Sequence, residues 1–186
     1  MDVKRAGNLK MNSLIDEALK SGATRASIIE VSKIVFSEEL RKMCEQNACG
    51  KYGTNWVCPP AVGPLEYLKA KICNFDKGLV FQTVRTLEDS FDFEGMMKAK
   101  TDHENVLFGI LKTMDSYREI YPLSAGACSI CEKCAYTRGE KCVFPDKAFP
   151  SVEACGIDVN ALVTSCGIPY INGVNTVSYV GLILFK

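Results

Sequence analysis

Cysteine is the residue type in this chain whose spacing can do chemistry. Cys128, Cys131 and Cys134 recur at every third position, and Cys142 follows after seven intervening residues, in the run CSICEKCAYTRGEKC. A cubic iron–sulfur cluster needs several thiolates around one small object, and a loop that supplies three of them in quick succession can wrap it corner by corner. Structural zinc is the alternative, yet zinc more often takes its ligands as two separated Cys-x2-Cys pairs, and one member of this triplet would be left over. Inert buried thiols are not expected to crowd into a stretch that also carries Glu132, Lys133, Arg138, Glu140 and Lys141.

A second region, CEQNACGKYGTNWVCPP, offers Cys44, Cys49 and Cys58, separated by four and eight intervening residues. Gly50 and Gly53 permit backbone conformations that turn amide N–H groups toward cluster sulfurs. Trp56, the sole tryptophan, stands two residues before Cys58 and is expected to shield one face of this site from water. With only three cysteines, the site either borrows a ligand or leaves one iron open. Cys155 is the first choice for the missing ligand, with Cys142 and Cys73 as the other candidates for fourth-ligand positions. The sequence places Cys155 in the second turn of a helix capped by Ser151, where the positive helix end favours a thiolate. Cys73 and Cys166 read first as core thiols.

The elements that must position these residues follow from periodicity. Helical spacing of apolar residues predicts helices over residues 9–21, after Ser37, over 64–75, from 103 to 121 and from Ser151 to Gly167. Branched or alternating runs predict strands over 26–36, 79–85, 122–127 and 176–185, the last continuous enough to lie in the middle of a sheet. Residues 86–100, acidic and aromatic, read as a solvated connection. His103, the sole histidine, reads as an exposed helix-start residue. The expected fold is α+β, a single domain over residues 1–186, with a roughly four-stranded sheet, helices packed on one side of it, and both cysteine-rich loops at strand or helix ends.

Bulk composition narrows the function. A chain of 186 residues with 47% hydrophobic and 24% charged residues is long enough for one proper core. Twenty-two basic residues balance twenty-two acidic ones, so no long-range field draws in nucleic acid or an anionic membrane, and neither partner is expected. The first twenty residues lack the apolar core of a secretory signal, and the apolar run 180–185 is too short to span a bilayer. A cytoplasmic location is the expectation, and there ten cysteines are better explained as metal ligands or redox groups than as disulfides. Neither a phosphate-cradling glycine loop nor a dinucleotide-binding fingerprint is present.

Taken together, CEQNACGKYGTNWVCPP, CSICEKC, KCVFPDKAFPSVEACGIDV and the closing hydrophobic strand resemble a family of bacterial and archaeal proteins described only as predicted metal-binding proteins, with a domain of unknown function. The resemblance runs from the first strand to the end. It implies an iron–sulfur protein of anaerobic metabolism, with Cys44, Cys49 and Cys58 as ligands in one region and Cys128, Cys131, Cys134 and Cys142 in the other. It supplies no reaction. The first functional expectation is electron transfer through two 4Fe-4S clusters to a redox partner protein, since no acid–base pair or activated nucleophile stands out. The alternative is a redox enzyme in which an open iron at the three-cysteine site binds a small thiolated or carbonyl substrate, with Tyr52 as a proton donor. A structural zinc module is the third reading.

Overall fold

Four strands and the helices around them follow from runs of apolar residues that no single covered face would satisfy. The computed structural model describes the backbone of residues 2–186 and the side chains from Met11 onward. Strands β1 (Arg25–Glu30), β2 (Lys77–Thr86), β3 (Ile120–Leu123) and β4 (Thr176–Phe185) form one sheet in the order β1-β2-β4-β3, every neighbouring pair antiparallel. β2 and β4 pair along their whole length, from Lys77 opposite Phe185 to Thr86 opposite Thr176. β4 is therefore central, as its unbroken apolar run predicts. Pro122 stands in β3, an edge strand, where a missing N–H does not interrupt the interior ladder.

Helices cover both faces of this sheet, not one. On the first face, Leu79, Phe81, Ile183 and Phe185 pack with Leu14 and Ala18 of α1 (Asp2–Lys20). Val106, Leu107 and Ile110 of α4 (Phe93–Leu111) complete that layer. On the second face, Val80, Leu182 and Leu184 pack with Leu68 and Ile72 of α3 (Leu65–Cys73) and with Leu162 and Val163 of α5 (Val159–Ser165). The reason lies in the strands themselves: odd and even positions of β2 and β4 are both apolar, so each face needs a cover. Gly181 serves the first face, because a Cβ there would collide with the ring of Phe81 directly across the ladder.

Several local boundaries differ from expectation. The first strand stops at Glu30 and gives way to a 3-10 turn, Val31–Lys33, although the branched run continues. The stretch from residue 86 is a connection only to Asp92, whose carboxylate accepts from Gly95 N–H at 2.8 Å and starts α4. His103 consequently lies inside that helix and is fully buried, not exposed at its start. The expected helix from Ser151 is two pieces. A 3-10 turn, Glu153–Cys155, ends at Gly156 with φ +70°, and Asp158 then caps α5 by accepting from Ala161 N–H at 2.9 Å. Gly156 suits the break, since its left-handed backbone strains any residue with a Cβ, which would also sit 2.5 Å from Leu65 Cδ1. Among the described residues, no helix is long and apolar enough to cross a membrane.

Candidate metal centre

The loop after β3 is clasped at its root. Ser124 N–H donates to Pro150 O at 2.8 Å and Val152 N–H to Ser124 O at 3.0 Å, so the chain leaves and re-enters at one point. Within the loop, Cys128, Cys131, Cys134 and Cys142 line one small cavity, walled further by Ile130, Ala135, Val143 and Phe144. A 3-10 turn, Ala135–Arg138, closed by Gly139 at φ +70°, sets the spacing between Cys134 and Cys142.

α4 braces the same loop. The ammonium of Lys100, with its side chain only 11% exposed, is 2.7 Å from Glu104 Oε1 and donates to Ser129 Oγ at 2.9 Å. Ser129 in turn donates to Glu104 at 3.2 Å. A lysine is seldom buried this far unless its charge is paired, and here the pair is spent on the residue next to Cys128. Burial pushes the Cys128 thiol up, the Ile130 N–H pulls it down, the Glu104 and Cys134 charges push it up and the Lys100 charge pulls it down.

The three-cysteine loop begins on α2 (Glu38–Glu45), where Ser37 Oγ accepts from Leu40 N–H at 3.3 Å. Cys44 is in its last turn. Asn47 then adopts φ +53° and accepts from Tyr52 N–H at 3.0 Å, folding the chain back past Cys49. The return is pinned where Gly53 N–H donates to Pro59 O at 2.8 Å. Burial raises the Cys58 thiol, the Asn55 bond lowers it, and the charges of Cys49 and Cys44 raise it further. Burial raises Cys44 as well, opposed by the nearby Arg41 charge.

Arg41 is 8% exposed and its guanidinium donates to Ala154 O and, at 2.6 Å, to Gly63 O. No carboxylate among the described residues pairs with it. A buried cation with only carbonyl partners leaves a positive charge beside Cys44 for an anionic group to balance.

The two loops meet. Trp56, with Val57, forms part of the wall of the cavity lined by the other four cysteines. Its Nε1–H donates to Glu140 O at 3.0 Å, and its ring meets Tyr136 edge-on with centroids 5.0 Å apart. Cys128 also bears electrostatically on Cys58. Cys44 and Cys49 also border an open cleft of about 1370 Å³, walled by α2, the start of α5, the segment 170–173 and Ala125 and Gly126.

Cys155, Cys73 and Cys166 do not line the four-cysteine cavity. Cys155 is fully buried in the apolar layer with Ile72 and Leu182, and burial pushes its thiol up to about 12 against the Arg41 and Lys71 charges. Cys73 is exposed, not a core thiol, because its position at the end of α3 turns it from the sheet. Cys166 caps α5, half-buried.

Among the described residues, no three His, Cys, Asp or Glu side chains are grouped to hold a single ion. A cluster makes a different demand, since its irons sit at separate corners and its thiolates need not meet at one point. The four cavity-lining thiols stand between apolar walls, and at the other loop the Arg41 charge beside Cys44 suits an anionic group. Arg41, Asn55, Lys100 and Glu104 went unread in the sequence. The one available signal was the spacing of Lys100 and Glu104 as an i, i+4 pair, which ordinarily marks a solvated helix face.

Compared with known proteins, residues 27–185 match the family described as "Predicted metal-binding protein (DUF2284)". No curated protein and no solved structure matches the chain.

Proposed function

Because this chain belongs to that family of predicted metal-binding proteins, we propose that its two cysteine loops hold 4Fe-4S clusters and that it transfers electrons to a redox partner protein. When bound, such clusters supply one-electron chemistry at potentials set by burial, charge and hydrogen bonds to sulfur. What supports this reading is the shared wall: Trp56 and Val57 line the four-cysteine cavity, and Cys58 directly after them feels the charges of Cys44 and Cys49. A shared wall would bring two clusters close enough to exchange electrons.

The chain's own residues have definable parts in this. Cys128, Cys131, Cys134 and Cys142 are the ligands of one site; Cys44, Cys49 and Cys58 are ligands of the other. Arg41 offsets negative charge beside Cys44, and the Ile130 N–H does so at Cys128. Ile130, Val57 and Phe144 give this site apolar walls. Val143 and Phe144, exposed beside Cys142, give a partner an apolar rim to dock on.

Iron and acid-labile sulfide analysis of anaerobically prepared protein, with electron paramagnetic resonance after reduction, tests the proposal. Two reducible cubane signals are expected. A colourless protein that holds zinc and no sulfide overturns it in favour of the structural zinc module.

A second reading is favoured by the cleft beside Cys44 and Cys49. In it, the three thiolates leave one iron open, and the cleft admits a small substrate to it. Cys155, proposed as the fourth ligand, decides between the two: in Cys155→Ala the first site loses its metal if four thiolates hold it and keeps it if three do.

A further inference from the structure

Trp56 belongs by sequence to the three-cysteine loop and by contact to the four-cysteine loop. Its indole N–H, 3.0 Å from Glu140 O, fixes a carbonyl two residues before Cys142. Its ring, set at 77° to Tyr136, packs on the 3-10 turn that follows Cys134. One residue, Val57, 6% exposed and itself in the cavity wall, separates it from Cys58. Asn55, 4% exposed, accepts from Val57 N–H at 3.2 Å and so stiffens the same four residues from the other end. The segment 55–58 cannot set Cys58 against Cys44 and Cys49 without also setting the indole against the second cavity.

We propose that Trp56 is a positioning residue for the four-thiolate site, supplied by the other cysteine loop, so that loading of either site with metal tightens the other. This rests on the reading that both loops bind metal. Ordering the 55–58 segment around one occupant builds the wall that the second occupant needs. By linkage the same factor operates in both directions, and couplings of this kind are typically about 5- to 150-fold. The hydrogen bond to Glu140 gives the coupling its specificity, because the indole is a donor only and has that one carbonyl as its partner.

The test is an anaerobic titration of the full, reduced chain with Cd2+, read by thiolate-to-metal charge-transfer absorbance and by the fluorescence of Trp56. The chain is compared with a Cys44→Ser/Cys49→Ser variant, which disables one site, in both the native and the Trp56→Phe background. Trp56→Phe keeps an aromatic edge against Tyr136 and loses the N–H. Circular dichroism and thermal melting establish that each variant is folded. With Trp56 present, disabling the three-cysteine site is expected to weaken Cd2+ at the four-thiolate site by about fivefold or more, and loading is expected to change the tryptophan emission. In the Trp56→Phe background the same cysteine substitutions are expected to shift that affinity much less. Equal four-thiolate affinity with and without Cys44 and Cys49, Trp56 being present, overturns the proposal while leaving metal binding intact. Where a loop takes up iron and sulfide but not Cd2+, the same comparison is read on cluster content per chain; failure of either loop to bind either one overturns both.

Discussion

His103 lies flat on Phe81, with ring centroids 4.9 Å apart and planes 15° from parallel. Its Nδ1 is 2.9 Å from Thr83 Oγ1, and its Nε2 is buried with no hydrogen-bond partner among the described residues. Burial, reinforced by the Lys100 charge, lowers its pKa from 6.5 to about 3. The folded protein thus holds this imidazole neutral where the unfolded chain would protonate it.

Between pH 6.5 and about 3 the unfolded state therefore binds the extra proton, and stability falls as pH falls through that window. The slope approaches about 1.4 kcal/mol per pH unit from this group alone. Urea midpoints measured from pH 7 down to pH 4 should decline. His103→Gln, which can keep a bond to Thr83, should show a flatter profile; an unchanged slope would exclude His103 as the source.

Gly181 leaves the space that the Phe81 ring occupies. Gly181→Ala is expected to destabilise the fold by about 1–3 kcal/mol, since overpacking a filled layer displaces rings and backbone. Differential scanning calorimetry should record the drop, and metal content per folded chain should be unaltered.

Lys100→Met removes the cation that joins Glu104 to Ser129. A loss of about 1–3 kcal/mol is expected, because Glu104 then keeps a partly buried charge with one partner fewer. The double variant with Glu104→Leu should recover part of it. Metal retention by the four-cysteine loop should fall in the single variant, as measured by competition with a chelator.

Thiol exposure sets an order of alkylation. In metal-free, reduced protein, iodoacetamide should reach the exposed Cys49 and Cys73 first and the fully buried Cys155 last. After metal loading, Cys49 should become protected and Cys73 should stay reactive, as read by peptide mass spectrometry. Protection of Cys73 would instead place it among the ligands.

What could be read beforehand was local. The ten residues of β4 carry their own apolar signature, Ser37 announces α2 by its hydroxyl, and the two cysteine runs are visible as spacings. What could not be read depends on a neighbour distant in sequence. Arg41 and Lys100 look like solvated charges until Ala154 and Ser129 are placed beside them. Trp56 reads as the guard of its own loop because nothing near it in sequence betrays Glu140. Both-sided cover of the sheet was implicit in β2 and β4, whose two alternating sets of residues are equally apolar, but an edge-to-centre order of strands was needed to make that decisive.

The pairing of β2 with β4 has a consequence for how the molecule is made. The middle of the sheet cannot close until Thr176–Phe185 have left the ribosome, by which time both thiol-bearing loops have already been synthesised. The nascent chain therefore carries its reactive sulfurs before it has a floor to hold them, and whatever delivers metal meets either an unfinished protein or one that has just folded around empty hands.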